Sequence, residues 1–263
     1  MKKPIIIAGN CVIETQEIME ETAQTLSQIA IDLDVEIILK GSYTKANRTS
    51  YYSFRSIGML KALKKLSHYG KLYGMKTITD IHETHEANMA AEYVDMLQIP
   101  AFLCRQTELL IAAGKTGKPV NIKKGQFMEG RMMYQAAEKV WETGNNNIMV
   151  TERGNMFGYH DLIVDFRNIT QMRTVMSPVL IDITHSLQKP NNIVTEGNWL
   201  GAEMMAKLGL TAGADGIYFE THPDPNKAWS DKHTQIPLSS VKPMLERILD
   251  FYTKINSDER ENK

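Results

Sequence analysis

The sequence predicts an α/β fold, a single (β/α)8 barrel, on the basis of three observations. Eight short apolar runs cross the chain, helical patterns lie between them, and nearly every run ends in a charged or strongly polar residue. Buried parallel strands read as near-continuous apolar runs, because helices cover both faces of their sheet. In a barrel all strand ends build one pocket, so polar residues at many strand ends indicate a shared site.

The predicted strands and helices alternate along the chain. The eight apolar runs are Pro4–Ala8, Val35–Leu39, Lys76–Ile78, Met96–Ile99, Val120–Ile122, Ile148–Val150, Val179–Ile183 and Gly216–Phe219. Apolar residues at helical spacing predict helices over Ile18–Leu33, Met59–Leu72, Ala87–Val94, Glu108–Ala113, Met132–Trp141, Ala202–Leu210 and Val241–Tyr252. This repetition with short connections favours right-handed parallel units.

The length of the chain also suits one barrel. Its 263 residues are close to the roughly 250 residues of a typical (β/α)8 domain. No linker or low-complexity stretch interrupts it, so we expect a barrel over residues 1–256 and a charged C-terminal tail over 257–263. The main alternative is an open doubly wound sheet, which usually carries a glycine-rich turn after its first strand. Here that turn is Gly9-Asn10-Cys11 without the further glycines, which disfavours the open sheet.

Composition excludes some classes of partner. The chain has a formal net charge of -1 and a sequence pI of about 6.7. Neither value indicates binding to nucleic acid or to a membrane surface, and no apolar stretch reaches the length of a membrane span. Two cysteines do not form a disulfide framework, so we expect a cytoplasmic protein.

Seven cationic residues lie at or just past the ends of the predicted strands. They are Lys40, Lys45, Arg48, Arg105, Lys123, Lys124 and Arg153. Any single lysine is most simply a solvated surface charge, but cations that converge in one pocket bind phosphates and carboxylates. Because barrel strand ends face one cavity, the set predicts an anion-binding pocket.

A second group of polar residues could hold a metal ion. Cys11 follows strand one, His185 follows strand seven, Glu220 follows strand eight, and Asp231 lies in the next loop. A thiolate, an imidazole and two carboxylates suit a divalent ion such as Zn, Fe or Mn. The alternative is that Cys11 is a small buried apolar residue, since the four positions are far apart in sequence.

Other features favour a structural interpretation. Gly114-Lys115-Thr116 resembles the end of a phosphate-binding loop but lacks its first glycine, and the histidines of His82-Glu83-Thr84-His85 are one residue too close for the zinc-protease motif. We expect Cys104 to be buried and Trp141, Trp199 and Trp229 to be packing residues or loop anchors.

Nine segments resemble one enzyme family over nearly the full length of the chain. They are Ala8–Glu14, Lys45–Ser50, Thr79–Glu83, Gln98–Thr107, Asn121–Phe127, Thr151–Gly154, Phe157–Tyr159, Asp182–Ser186 and Glu220–Pro225. Their order and length are similar to those of 3-deoxy-D-manno-octulosonate 8-phosphate synthases, also named 2-dehydro-3-deoxyphosphooctonate aldolases. The resemblance implies a (β/α)8 barrel, a homotetramer and a role in lipopolysaccharide sugar biosynthesis. It also implies the condensation of phosphoenolpyruvate with D-arabinose 5-phosphate and water, which gives the octulosonate 8-phosphate and phosphate.

The resemblance implies a role for each candidate residue. Lys40, Lys123 and Arg153 would bind phosphoenolpyruvate, Lys45 would lie near the reacting centre, and Arg105 would approach a neighbouring subunit's site. Asn47, Arg48 and Ser50 would bind the sugar phosphate, and Ser42 and Gln98 complete the expected substrate-binding set. Cysteine after the first strand marks the metal-dependent members, so Cys11, His185, Glu220 and Asp231 would hold a divalent ion. The expected catalytic residues are Lys45, His185, Asp231 and Cys11.

Some positions depart from the family pattern and leave two alternatives open. The family has Gly-Pro-Cys where this chain has Gly9-Asn10-Cys11, Phe-Asp in place of Tyr43-Thr44, and glycine in place of Ser56. It also carries an arginine in the loop after strand seven, whereas Lys189–Trp199 contains none. One alternative is therefore a related synthase that uses another aldose phosphate. The other is a non-catalytic barrel that only binds a phosphorylated ligand.

Overall fold

Eight parallel strands close on themselves into a barrel in the computed structural model, which describes residues 3–48, 50–157, 161–189 and 196–261. The barrel strands are β1 (Ile5–Val12), β2 (Ile37–Ser42), β3 (Thr77–Asp80), β4 (Met96–Ile99), β5 (Val120–Lys123), β6 (Ile148–Glu152), β7 (Val179–Asp182) and β8 (Gly216–His222). Each strand pairs with the next, and β8 pairs with β1, for example Ile7 with Tyr218. The predicted (β/α)8 fold is confirmed.

A helix follows every barrel strand. The helices are α1 (Gln16–Asp32), α2 (Met59–Leu72), α3 (Glu86–Ala91), α4 (Thr107–Lys115), α5 (Met133–Trp141), α6 (Arg167–Arg173), α7 (Ala202–Thr211) and α8 (Leu238–Glu261). The sequence analysis predicted seven of them and missed α6, whose seven residues bury only Ile169 and Met172 as apolar side chains. The helical backbone of α8 continues into the segment expected as a tail.

Local chemistry explains where helices begin and end. The Thr15 hydroxyl accepts a hydrogen bond from the Ile18 amide and caps the N-terminus of α1, a position where the backbone N–H groups lack helical partners. Gly74 follows α2 with a φ of +66°, a left-handed conformation that glycine adopts without steric cost. The Thr15 cap fixes where α1 begins, and Gly74 allows the chain to turn from α2 towards β3.

The strands are longer than the apolar runs that predicted them. β1 continues to Val12, β2 to Ser42 and β8 to His222, so several polar residues lie inside strands rather than after them. Ladder hydrogen bonds use backbone groups only, so they continue when side chains become polar. Gly9 allows β1 and β2 to approach closely, since a Cβ there would lie 2.0 Å from the Lys40 carbonyl oxygen.

Two apolar cores surround the barrel wall. The larger one lies between the strands and the helices, and a smaller one fills the barrel interior with Ile7, Ile38, Ile78, Met96, Leu180 and Tyr218. Three short strand pairings lie outside the main barrel ladder: Asn155–Met156 with Leu162–Ile163, Gln188–Lys189 with Glu196–Gly197, and Ile236–Pro237 with β8. None of the helices in the described ranges has the length and hydropathy to cross a membrane.

Two features of the sequence extend beyond the described residues. The arginine-free loop Lys189–Trp199 includes residues 190–195, and the Phe157–Tyr159 segment includes residues 158 and 159. Both stretches lie outside the described residues.

Candidate active site

Two adjoining chambers occupy the C-terminal end of the barrel. The first is a cavity of about 210 Å³, lined by Lys40, Ser42, Thr44, Lys45, Asn47, Asp80, His82, Gln98, Lys123, Arg153, His185, Tyr218 and Glu220, among others. The second, of about 330 Å³, is lined by Arg48, Ser50, Ser53, Met156, Gln188, Trp229, Asp231, Lys232 and His233, among others. Lys45, Asn47 and Arg153 line both chambers, so the two spaces meet at these residues.

Lys40 lies at the floor of the first chamber and is almost fully buried. Its ammonium group donates to Glu220 Oε1 at 2.7 Å and to the Cys11 carbonyl at 2.7 Å, and it lies 3.8 Å from Asp80 Oδ2. Burial alone would lower the pKa of Lys40, but the two carboxylates outweigh it and raise the pKa. Lys40 therefore stays charged although its side chain is buried.

Lys123 is the second buried cation of this chamber. Its Nζ donates to Asp182 Oδ2 at 2.6 Å and lies 3.2 Å from the centroid of the Tyr218 ring. Burial lowers the pKa of Lys123, and the carboxylates of Asp182, Glu220 and Asp80 offset this only in part. An anionic ligand would restore the balance in favour of the charged form, so this lysine gains more from a bound anion than an exposed lysine would.

Arg153 completes the cationic lining at the end of β6. Its Nη2 donates to Gln188 Oε1 at 3.1 Å, and its buried Nη1 has no hydrogen-bond partner among the described residues. Burial lowers the pKa of Arg153, although its guanidinium remains charged because the ordinary value is far above neutrality. A buried N–H group without a partner is costly, so Arg153 presents an open donor to a ligand in the chamber.

Lys124 differs from its neighbour Lys123, because it lines neither chamber. Lys124 directly follows β5, where its amide still donates to the Thr151 carbonyl at 2.8 Å, and successive residues of such extended backbone point to opposite faces. The Lys124 ammonium lies 3.4 Å from Glu152 Oε1 and donates to the Met128 carbonyl at 3.0 Å, with both charged side chains fully buried. The expectation that all seven cations converge on the pocket is therefore wrong for Lys124, and Arg105 lines neither chamber either.

Lys45 lies where the two chambers meet, beside Cys11 and Asp231. Its Nζ donates to Asp231 Oδ2 at 2.6 Å and lies 3.2 Å from Cys11 Sγ. Burial would lower the pKa of Lys45, but Asp231 outweighs it and holds the pKa well above its ordinary value. Burial, together with the Asp231 and Glu220 carboxylates, raises the pKa of the Cys11 thiol well above its ordinary value.

The four proposed metal ligands lie close together in the described structure. Donor atoms of Cys11, Glu220 and Asp231 all lie within 4.8 Å of one another. His185 Nε2 lies 3.6 Å from Glu220 Oε2 and 3.9 Å from Asp231 Oδ2. Glu220 Oε2 is buried and has no hydrogen-bond partner among the described residues.

The surroundings of His185 suit a metal ligand as well. Its Nδ1 lies 2.8 Å from Asp182 Oδ2, which leaves Nε2 directed towards Glu220 and Asp231. A carboxylate on the far nitrogen is the usual support for a metal-bound histidine. The donor set, the buried partnerless oxygen and this supporting carboxylate fit a divalent ion such as Zn, Fe or Mn.

The second chamber contains the segment expected to bind the sugar phosphate. Asn47, Arg48 and Ser50 line one wall, and the Arg48 guanidinium donates to the Trp229 carbonyl at 3.2 Å. Arg105 lies elsewhere: it is exposed, follows β4 and lines neither chamber. This position is compatible with a contact to another subunit.

Several residues of the site carried no clear signal in the sequence. Tyr218 reads as an ordinary strand residue, yet its ring faces the Lys123 ammonium inside the barrel. Asp80 and Asp182 bind the two buried lysines, although the sequence analysis assigned neither a role. The signal that could have found them is period-two spacing, since Tyr218 lies two residues before Glu220 and shares its face of the strand.

The comparison with known proteins agrees with this arrangement. The sequence model of the DAHP synthetase I family matches residues 2–255. The chain belongs to this family. Among its curated relatives is a 2-dehydro-3-deoxyphosphooctonate aldolase of Desulfatibacillum aliphaticivorans, which is 44% identical over 247 residues, covering 93% of this chain and 90% of the relative.

Relatives of the same name come from distant organisms. The protein of Fusobacterium nucleatum subsp. nucleatum is 43% identical over 252 residues, covering 95% of this chain and 91% of the relative. The protein of Pisum sativum is 43% identical over 251 residues, covering 93% of this chain and 87% of the relative. The resemblance inferred from the sequence motifs is confirmed.

Proposed function

We propose that this member of the DAHP synthetase I family condenses phosphoenolpyruvate with D-arabinose 5-phosphate and water to 3-deoxy-D-manno-octulosonate 8-phosphate and phosphate. The observation that carries the proposal is the convergence of Lys40, Lys45, Lys123 and Arg153 on one chamber that opens into a second, arginine-containing chamber. Two phosphorylated substrates that must react with each other require two adjoining anion sites. The names of the relatives support this choice of reaction.

The first chamber suits phosphoenolpyruvate. This ligand carries a phosphate and a carboxylate on three carbons, and the cavity of about 210 Å³ is lined by four cations. The partnerless Nη1 of Arg153 and the buried ammonium of Lys123 would bind its anionic groups, while Lys40 would add a third positive charge. Since carboxylates of the protein already hold the lysines in place, little reorganisation accompanies binding.

The second chamber suits the aldose phosphate. Asn47, Arg48 and Ser50 would bind its phosphate group, which places the aldehyde end towards Lys45. C3 of phosphoenolpyruvate then forms a bond to the aldehyde carbon, water adds at C2, and the C2 substituent leaves as inorganic phosphate. The Lys45 ammonium would stabilise the alkoxide that forms on the former aldehyde oxygen, since its pKa is held well above the ordinary value. Placing both substrates side by side supplies much of the acceleration.

Charge balance supports a bound divalent cation. Within the described site the four cations Lys40, Lys45, Lys123 and Arg153 face four carboxylates, Asp80, Asp182, Glu220 and Asp231. The protein alone therefore does not offset the charge of two anionic substrates. An ion held by Cys11, His185, Glu220 and Asp231 would supply the missing positive charge and would orient an oxygen ligand.

Phosphate release tests the reaction. We expect release from phosphoenolpyruvate only when arabinose 5-phosphate is also present, with one phosphate per product molecule. Release from phosphoenolpyruvate alone would indicate a simple phosphatase and would contradict the proposal. Calorimetric binding of phosphoenolpyruvate without turnover, under any divalent metal, would instead favour the non-catalytic barrel.

Metal dependence is tested separately. We expect a chelator to abolish activity and Mn²⁺ to restore it, and a Cys11→Ser variant to bind the ion more weakly in calorimetry. Full activity of the stripped wild-type enzyme would contradict the metal part of the proposal and leave the reaction intact. The calorimetric readout makes the two results independent.

One observation favours a second candidate acceptor. Thr44 lines the first chamber at a position where the resemblance leads us to expect aspartate, so the lining has one carboxylate fewer. A synthase that prefers an aldose phosphate of four or six carbons would account for this change. Comparing kcat/KM across acceptors of four to six carbons decides between the two.

The remaining expectations concern the assembly and the compartment. We infer a cytoplasmic homotetramer in lipopolysaccharide sugar biosynthesis, in which the exposed Arg105 approaches a neighbouring site. The exposed rings of Phe102 and Phe127 near the site support a subunit contact, since large apolar side chains at a surface often mark interfaces. Sedimentation of the wild type and of Arg105→Ala, together with the kinetics of that variant, tests this.

A further inference from the structure

The loop between β8 and α8 carries Trp229, two residues before Asp231. Trp229 is 40% exposed, although its backbone amide and carbonyl are both hydrogen-bonded. Its amide donates to Glu14 Oε1 at 2.8 Å, and its carbonyl accepts from Arg48 Nη2 at 3.2 Å. The indole packs edge-on against Phe54, with 4.5 Å between ring centroids. An aromatic ring that is fixed but not covered has room for a ligand.

Trp229 lines the same chamber of about 330 Å³ as Asn47, Arg48 and Ser50. Arg48 Nε is buried and has no hydrogen-bond partner among the described residues. The Trp229 carbonyl accepts a hydrogen bond from Nη2 of the same guanidinium. This bond fixes the plane of the guanidinium and leaves its Nε available for a ligand. A guanidinium oriented in this way can donate to a phosphate.

We propose that Trp229 is a specificity-determining residue of the second chamber, where its indole forms the wall against which the carbon chain of the aldose phosphate packs. This inference rests on the proposed function. The C–H bonds of a sugar chain are apolar on their outer side, and aromatic rings commonly line ligand pockets against such groups. The Arg48 guanidinium, oriented by the Trp229 carbonyl, binds the terminal phosphate, so the ring and the guanidinium together fix how the carbon chain lies between that phosphate and Lys45. Trp229 thus does more than anchor its loop, which is the role that the sequence predicted.

Steady-state kinetics provide the first test, with Trp229→Ala and Trp229→Phe compared with the wild type. We expect Trp229→Ala to raise KM for arabinose 5-phosphate about tenfold and Trp229→Phe about two- to threefold, as for the loss of apolar contact in a pocket. KM for phosphoenolpyruvate should change less than about twofold, because the ring does not line the first chamber. The relative kcat/KM for a six-carbon acceptor should rise in Trp229→Ala. Equal increases in both KM values would overturn the proposal.

A binding measurement separates this proposal from the proposed reaction. The emission spectrum of Trp229→Phe, subtracted from that of the wild type, isolates Trp229 from Trp141 and Trp199. We expect arabinose 5-phosphate to change this difference spectrum saturably, and inorganic phosphate alone to leave it unchanged. Trp141→Phe, in α5 and outside both chambers, serves as the matched control and should retain the response.

The outcomes differ for the two ideas. An emission response of wild type without turnover of any aldose phosphate would support the aromatic wall and overturn the proposed reaction. Turnover without any change in emission would contradict the proposed role of Trp229 but would leave the proposed reaction unaffected. The same response to inorganic phosphate and to the sugar phosphate would also overturn the wall, because the carbon chain would then make no separate contact.

Discussion

The barrel interior has two layers of opposite character, one pleat step apart on the same strands. The lower layer is apolar and includes Ile38, Ile78, Met96, Leu180 and Tyr218. Two residues further along each of these strands stand Lys40, Asp80, Gln98, Asp182 and Glu220. Side chains at i and i+2 share one face of a strand, about 6.6 Å apart. One short step therefore separates the residues that fill the barrel from those that we propose to bind ligands.

The difference shows what each layer contributes. The apolar layer stabilises the fold by removing side chains from water. The polar layer also includes Lys123 at the end of β5, and all its members except Gln98 are buried charges, which are costly unless they are paired. Salt bridges such as Lys40 with Glu220 and Lys123 with Asp182 hold the cations in position. The same carboxylates offset part of the positive charge and so weaken the attraction of these lysines for anionic ligands. We therefore expect substitutions in the polar layer to alter activity most and those in the apolar layer to alter stability most.

The largest expected effect comes from Lys123→Met. This change removes a cation that we place against phosphoenolpyruvate, and it takes the lysine partner away from the buried Asp182, which keeps its contact with His185. We expect kcat/KM to fall by about a thousandfold or more, a size typical of lost electrostatic stabilisation in a closed site. Steady-state phosphate release measures it.

A lysine at the opposite end of the barrel provides the control. Lys76 immediately precedes β3, is exposed, and pairs with Glu36. Lys76→Met should leave kcat/KM within about twofold, since exposed ion pairs contribute little. Similar losses of kcat/KM in Lys76→Met and Lys123→Met would contradict the proposal that the active site lies at the C-terminal end of the barrel.

The apolar layer is tested by Ile7→Ala. Ile7 is fully buried in the lower layer, and the next inward position on its strand is Gly9, which carries no charge. We expect the free energy of unfolding to fall by about 2–5 kcal/mol, with kcat/KM within about threefold of wild type at a temperature where both are folded. Urea denaturation gives the first value. A large loss of kcat/KM in a folded variant would show that the layers are not independent.

A smaller effect is expected from Asp182→Asn in the polar layer. Asp182 lies 2.8 Å from His185 Nδ1 and so orients Nε2 towards the proposed metal ligands. Losing this carboxylate should weaken metal binding about 10- to 100-fold without removing a ligand. Calorimetric titration of Mn²⁺ into the stripped protein measures it. Unchanged affinity would mean that the imidazole is oriented by other contacts.

The smallest expected effect is a pH dependence of stability that comes from Asp80. Burial alone would raise the pKa of its carboxyl, but Lys40 and Lys123 outweigh this and hold the pKa below its ordinary value of 3.8. A carboxyl whose pKa is depressed by folding stabilises the protein above its unfolded pKa, and this contribution disappears as the pH falls through the folded pKa. Asp80→Asn should therefore cost roughly 1 kcal/mol at about pH 5 and progressively less below about pH 4. A constant difference in urea denaturation across this range would contradict the assignment.

Much of this architecture could be predicted from the sequence, because buried strands and helices leave strong apolar patterns. The strand ends were placed too early for the same reason: Lys40 and Glu220 are polar, yet they continue the ladder. The orientation of Lys124 was missed because neighbouring lysines look alike until the pleat assigns them to faces. The contact between the Tyr218 ring and the Lys123 ammonium could not be predicted. It joins two strands that are far apart in sequence, and local sequence patterns carry no information on such contacts.

The most direct test of the account is phosphate release from phosphoenolpyruvate and arabinose 5-phosphate, measured for wild type and Lys123→Met with Mn²⁺ or a chelator. The account predicts release that requires both substrates, is abolished by the chelator, and falls about a thousandfold or more in the variant. Release that needs only phosphoenolpyruvate, or that survives unchanged in Lys123→Met, would contradict the claim that the polar layer is the site of condensation.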